Sequence, residues 1–427
     1  MKQILKSLKA HRKQSAALFI EIVIVTVIGW IVIEPVAVET SMSLIPAGYD
    51  YERLVNVTFS NFDYQSEEYD STLNDPIKER KRILNLIREH PEVESATYTT
   101  YQTYESGSSS STGFEADSIY GLDNDAKWIS TYIIQYVPQT DFFSTFGIRD
   151  ANGKQFIEPT VDDKSFIVSH TLAKARYANE SAMGKDLYDY DEESGHSPIV
   201  GIIRDTPYRK SDGRRQVMLK TVSNNEFNWS VGGITMRLKD GVNPRVFADK
   251  LTSEINKYRV GNTYITHPVL MADERDAVFA EKSRSLAKGW IVLSFFLVNV
   301  ILGVAGTFYI QFRSRTAESG VMRAFGATRC KVEWNIVGEA LINVALAWAV
   351  GSILYLAYLH FAHVEFEDNT DMIVRMINPM WFDSALTRNS IVGGLVLLLL
   401  LISTLIGVWL PARKIGRVAP VDALRDE

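Results

Sequence analysis

Apolar residues gather into four blocks, separated by one long mixed region and two short polar ones. The blocks cover 16–33, 290–310, 335–361 and 391–410. Each comes close to the roughly 20 mostly apolar residues that cross a hydrocarbon core. The first holds one charged residue, Glu21, and the third one, Glu339; the other two hold none. The pattern predicts four spanning helices. A cleaved signal peptide competes for the first block, but its apolar run is too long and no clear small-x-small site precedes Glu34-Pro35.

The mixed region, 34–289, reads as a folded α+β domain. Residues 51–60 predict a strand. Asp75 is a helix N-cap with Pro76 at the first helical position, and Ile77, Ile83, Leu84 and Ile87 form a stripe that ends before His90-Pro91. Residues 93–100 predict a second strand. The unit recurs as strand 234–238, turn 239–241, a helix over 244–258 with Val246, Phe247, Leu251 and Ile255 on one face, and strand 262–271. Two such units around a long insertion, 125–230, suggest a split α/β sandwich with a second subdomain. The insertion has its own strand signals at 166–169 and 197–203. The Ser-rich run 106–113 reads as a loop tip. The polar stretch 272–288 reads as a helical stalk leading into the second span.

Charge orients this plan. The chain of 427 residues has 45 Lys+Arg and 51 Asp+Glu, a net charge of −6. No basic surplus points to nucleic acid. Residues 1–15, 311–334 and 411–427 together carry +9, the spans −2, and the remainder −13. Basic flanks stay inside, so both termini and 311–334 are expected in the cytoplasm, with 34–289 and 362–390 outside. A mean hydropathy of −0.04 is then an average over membrane helices and a polar exported domain.

Chemistry is sparse. Cys330 is the one cysteine, so neither an intrachain disulfide nor a Cys-based zinc site can form. Walker A, GxSxG and HExxH motifs are absent, and no catalytic constellation, metal site or bound cofactor is expected. His360, His363 and Glu365 could hold a metal, but an interfacial His pair is the commoner explanation. Glu21, Glu339 and Asn343 are polar residues within spans; Glu21 reads as snorkelling toward the cytoplasmic edge, and Glu339 as bonding a neighbouring helix or a basic cytoplasmic residue. Gly303, Gly306, Gly393 and Gly394 would permit close helix packing. In the 311–334 loop, residues 318–325 predict a short helix stopped by Gly326. Val321, Ala324 and Phe325 give it an apolar patch among Arg313, Arg315, Arg323 and Arg329. It either rests on anionic lipid or docks a partner.

The segment Glu318-Ser-Gly-Val-Met-Arg-Ala-Phe-Gly-Ala-Thr-Arg329 resembles the E-I-G-[IV]-x-[RK]-A-[LIF]-G-A-[TS] motif of MacB/FtsX-type ABC transporter permeases, with Ser319 in place of Ile. Pro411-Ala-Arg413 followed by Pro420-Val421-Asp-Ala423-Leu424-Arg425 is similar to the family's ending. Within the exported region, 137–143, 168–174, 183–185 and 199–205 resemble the MacB periplasmic core.

The resemblance implies a four-helix membrane protein with a large periplasmic α+β domain, 34–271. That domain would have porter-like parts at 46–125 and 231–271 and a Sabre-like insertion at 126–230, followed by a stalk at 272–289. It implies a non-catalytic permease in the inner membrane. The ATPase, with its ATP and Mg, is expected on a separate chain, because no ATPase domain precedes the first span. Coupling to that ATPase falls to Glu318, Gly320, Val321, Arg323, Ala324, Phe325, Gly326, Ala327 and Thr328. Further implied partners are a second permease copy or paralogue, the bilayer, a periplasmic adaptor and an outer-membrane channel. Mechanotransmission for efflux or export is the implied function. Regulation of a cell-wall hydrolase, or release of lipoproteins, is the alternative. A membrane-anchored enzyme, the third class, lacks any catalytic constellation.

Overall fold

The computed structural model describes residues 12–73, 75–123, 127–160, 164–178, 180–187, 197–210, 214–223, 227, 232–310, 319–362 and 371–417. The chain divides into two compact units. One is formed by 1–40, 283–366 and 381–427, the other by 41–282 and 367–380.

The α/β unit begins with β1 (Leu54–Asn61), α2 (Pro76–Arg88) and β2 (Val93–Thr99), following the long helix α1 (Arg12–Ser43). Asp75 caps α2: its carboxylate accepts the Lys78 amide at 3.0 Å, and Pro76 starts the first turn. Five strands and two short helices come next. They are β3 (Ser110–Glu115), β4 (Trp128–Tyr136), α3 (Phe142–Phe146), β5 (Phe166–Ser169), α4 (His170–Tyr177), β6 (Ile199–Ile203) and β7 (Val217–Thr221). The chain then returns through β8 (Gly233–Leu238), α5 (Pro244–Ser253), β9 (Thr263–Ile265) and β10 (Val269–Leu270).

The first sheet has the order β10-β1-β8-β2, with β9 also on β1. β8 runs antiparallel to both β1 and β2. Each strand–helix–strand unit therefore straddles a strand of the other, the split βαβ arrangement. Val55 and Val57 face Ile83, Leu84, Phe247 and Leu251 of α2 and α5. Leu54, one residue out of phase, turns to the opposite side and joins Tyr104, Ile134, Phe146 and Leu219. The second sheet has the order β3-β4-β7-β5-β6, with mixed strand directions, and β4 to β7 come from the insertion.

Several local expectations change. The Ser-rich run is not a free loop tip, because Ser110 begins β3, which pairs along β4. An edge strand tolerates polar residues because its pairing is made by the backbone. This strand lies in the second sheet, so a boundary at 125/126 cuts through a hairpin. The expected helix over 244–258 is two pieces, α5 and a 3₁₀ turn at Ile255–Tyr258. Val246 and Ile77 are exposed rather than in the core. The strand expected over 262–271 is two short strands, and Met271 already starts a helix.

That helix, α6 (Met271–Ile310), is unbroken over 40 residues. Within the α/β unit its first turns are held by Arg275, which pairs with Glu105, a fully buried carboxylate. Glu105 also accepts the Tyr49 hydroxyl at 3.0 Å and the Lys210 amide at 3.1 Å. Burial, then the adjacent Glu105 charge, pushes the Tyr49 pKa well above its ordinary value, so it stays a donor.

The segment between the third and fourth apolar blocks is more than a short loop. After α7 (Arg329–Phe361) it forms α8 (Met372–Ile377), whose Ile373 and Val374 pack with Phe166, Leu172 and Ala175. Asp371 accepts the Ser130 amide at 3.0 Å, and Arg214 donates to the Asn378 carbonyl at 3.4 Å. Val374→Asp puts an unpaired charge into this core. It is expected to cost about 3 kcal/mol, read as a lower unfolding midpoint and faster amide exchange at Ser130.

The helical unit consists of α1, the later part of α6, α7 and α9 (Ala385–Arg417). Each is long and apolar enough to cross a membrane. Pro411 sits inside α9, which continues past the apolar block to Arg417. Pro lacks one donor, and such losses are accommodated in membrane helices. Gly303 and Gly393 lie at tight crossings, against Glu21 and Trp30; Gly306 and Gly394 face open space.

Candidate functional site

The loop between the second and third spans carries the most informative geometry. Residues 319–324 are helical. The Gly326 amide donates to the Arg323 carbonyl at 3.0 Å, and the Ala327 amide to the Met322 carbonyl at 3.0 Å. With Gly326 at φ +89°, this is a Schellman stop. Two residues later Thr328 caps α7, accepting the Lys331 amide at 3.3 Å. Gly-Ala-Thr is therefore a complete helix–turn–helix hinge: a left-handed stop, a linker and a cap.

The same geometry decides what faces outward. Ser319 and Gly320 are buried, and Ala327 packs on the helical core. Val321, Met322, Ala324 and Phe325 are exposed, Phe325 at 89%. Arg323 is half-buried; Thr328, Arg329 and Cys330 are exposed. The expected patch thus gains Met322. Glu318 lies outside the described residues.

Of the polar residues expected within spans, Glu339 and Asn343 are buried in α7. Glu21 does not reach for an edge. Its carboxylate lies against Gly303, where an added Cβ would sit 2.5 Å from an oxygen. Of the tail motif, Pro411 and Arg413 are helical, and Arg413 lies over the Trp409 ring at 4.9 Å. Pro420, Val421, Ala423, Leu424 and Arg425 lie outside the described residues, as do His363 and Glu365. Among the described residues no group of three or more His, Cys, Asp or Glu is placed to hold a metal.

Sequence reasoning missed one cluster. Glu34 is 4% exposed within α1. It accepts the Tyr355 hydroxyl of α7 at 2.8 Å and pairs with Arg388 Nε of α9 at 2.9 Å. Tyr355 stacks on Trp30 at 5.2 Å, and Trp30 Nε1 donates to Ser352 at 3.0 Å. A buried ion pair with its own hydrogen bonds thus ties three helices. The signal available was an acid at the end of an apolar block and a basic residue just before another.

The model of the FtsX-like permease C-terminal family matches residues 290–420, which hold this loop and three of the four spans. That part of the chain resembles the C-terminal region of FtsX-like permeases. The chain is also similar to curated proteins called macrolide export ATP-binding/permease protein MacB. The Neisseria gonorrhoeae protein is 23% identical over 306 residues, covering 67% of this chain and 42% of the relative. A Shewanella protein is 26% identical over 331 residues, covering 73% and 46%. The chain therefore spans less than half the length of these relatives. Among solved structures, the periplasmic region of MacB from Actinobacillus actinomycetemcomitans is 17% identical with a TM-score of 0.31, covering 53% of this chain and 93% of that one.

The Gly326–Thr328 turn and the exposed patch adjoin the start of α7, and the Glu34–Arg388 pair ties α1 to α9 beside Tyr355 of α7. Of the polar groups within the described spans, Glu339, Asn343, Ser403 and Thr404 are buried, while Asn299 bonds the Phe295 carbonyl of its own helix at 2.9 Å.

Proposed function

We propose that the chain is the membrane subunit of an ABC transporter that works by mechanotransmission, for efflux or export. A cytoplasmic ATPase unit grips the 318–328 loop. ATP binding and hydrolysis, with Mg on the ATPase, shift α6 and α7. The unbroken α6 carries the shift to a periplasmic α/β unit, whose porter-like and Sabre-like parts handle substrate outside the bilayer. The observation that carries this reading is the exposed Val321, Met322 and Phe325 on a helix whose exit is fixed by Gly326 and Thr328. Exposed apolar side chains clustered on a rigid element belong to an interface. The names of the MacB relatives, which join ATP binding and permease, support the pairing. Ile291, Phe295, Val298 and Leu302 form an exposed stripe on α6 at spacings of four, three and four. It suits a second permease copy in the inner membrane.

The test is purification of the full chain from its host membrane in mild detergent. An associated ATPase with vanadate-sensitive hydrolysis supports the proposal; a preparation with no hydrolysis contradicts it. The second reading, regulation of a cell-wall hydrolase, would be favoured by a hydrolase in the same preparation. A periplasmic adaptor or outer-membrane channel would favour export.

A further inference from the structure

A cavity of about 800 Å³ opens in the α/β unit along the segment after α1, residues 43–51. The coupling mechanism assigns it no role. Its lining is basic, although the exported region as a whole carries excess acid. Five cations face it, and three are engaged. Arg237 is held by Asp50 and by the Thr145 carbonyl at 2.9 Å. Arg275 is held by Glu105, and Lys210 by Asp276 at 3.2 Å. The two acids of the lining are spent as well: Asp50 on Arg237 and Arg53, and Glu94 on Arg53 at 3.3 Å and Arg237 at 3.6 Å.

Arg149 and Arg204 remain. The Arg204 amide donates to the Arg149 carbonyl at 2.9 Å, which sets the two residues side by side. Arg149 gives one guanidinium nitrogen to the Gly153 carbonyl at 3.0 Å. Among the described residues no carboxylate pairs with either, and both are exposed. Two arginines on paired backbone positions, both lining the cavity, offer forked donors matched to a carboxylate or phosphate. Another part of the lining is apolar: Leu44, 76% exposed, with Ile45 and Pro46. The wall beneath is fixed by Gly48, at φ +77°, where a Cβ would sit 2.4 Å from the Asp205 carbonyl.

We infer that this cavity binds an amphipathic anion, its carboxylate or phosphate head held by Arg149 and Arg204 and its hydrocarbon laid on Leu44, Ile45 and Pro46. A volume of this size suits a small organic ligand. The inference concerns the α/β unit alone and does not depend on how the loop is coupled to an ATPase.

The test is calorimetric titration of the full chain in phosphatidylcholine nanodiscs, with hexyl phosphate, inorganic phosphate and hexyl glucoside as probes. Hexyl phosphate is expected to bind saturably, inorganic phosphate at least tenfold more weakly, and hexyl glucoside not at all. R149Q/R204Q is expected to weaken hexyl phosphate at least tenfold, while K78Q/K257Q, which removes the same charge elsewhere, leaves it unchanged. L44S should weaken hexyl phosphate but not inorganic phosphate, which keeps the test valid if the double variant folds poorly. Nanodiscs containing phosphatidylglycerol separate the sources: competition assigns a lipid headgroup, and undiminished binding assigns a soluble anion. Equal hexyl phosphate affinity in folded R149Q/R204Q, or no saturable binding by the unaltered chain, would overturn the inference.

Discussion

Replacing Arg388 by Met is expected to lower the stability of the helical unit by about 3–5 kcal/mol, the range for breaking a buried ion pair from one side. The cost arises on the other side of the pair. Glu34 is 4% exposed, and Arg388 Nε at 2.9 Å is its cation. Without it, the Tyr355 hydroxyl at 2.8 Å is left to hold a buried charge by itself. Tyr355→Phe keeps the ion pair and removes one hydrogen bond, so about 1–2 kcal/mol is expected. Glu34→Gln combined with Arg388→Met removes both charges and should recover most of the loss, because a buried pair gains little over neutral packing. Unfolding midpoints in detergent, followed by tryptophan fluorescence, check all three. Trp30 stacks on Tyr355 and so reports the site directly. A double variant no better than Arg388→Met would show that the pair does not act as a unit.

The largest functional effect is expected at Gly326. Its φ of +89° lies where a residue with a Cβ is strained. Gly326→Glu costs about 1–2 kcal/mol at the turn and places an acid beside Phe325. The stop would re-form with a different exit angle, so the patch at 321–325 would no longer be presented in register with α7. On the proposed mechanism, transport falls at least tenfold while the protein still inserts and its ATPase still hydrolyses ATP. Arg323→Glu should act in the same direction through charge, with less effect on the turn. Transport assays paired with hydrolysis assays on the same vesicles check this. Unchanged transport in Gly326→Glu would remove the loop from the coupling route.

Much of this architecture was legible because it depends on local pattern. Four apolar blocks could only be long helices, and the Asp75-Pro76 pair and Gly326 are helix signals that work within one turn. The two strand–helix–strand units also announced themselves through period and caps. What stayed hidden depends on partners remote in sequence. Nothing near Glu34 says that it is buried; its cation is Arg388 and its donor Tyr355, more than three hundred residues away. The segment 372–377 is too short to show a helical period, and its apolar face is explained only by Phe166 and Leu172. Ser110–Glu115 is polar by composition and becomes a strand because β4 supplies the pairing. Glu21 looked able to reach an edge until Gly303 opened a place for it between helices. At the loop, sequence identified the patch but not its orientation. The Schellman stop and the Thr328 cap decide that Ser319 faces in and Phe325 faces out.

Cys330 offers the most direct test of the central claim that the 318–328 loop is gripped by a cytoplasmic ATPase. It is the one cysteine of the chain, it is exposed, and it lies two residues beyond the Thr328 cap. Its modification by a membrane-impermeant maleimide can be timed in inverted and in right-side-out membrane vesicles, with the ATPase present and after it has been stripped. The account predicts rapid labelling only in stripped inverted vesicles, and at least tenfold slower labelling once the ATPase is restored. Labelling from the opposite face, or a rate indifferent to the ATPase, would contradict it.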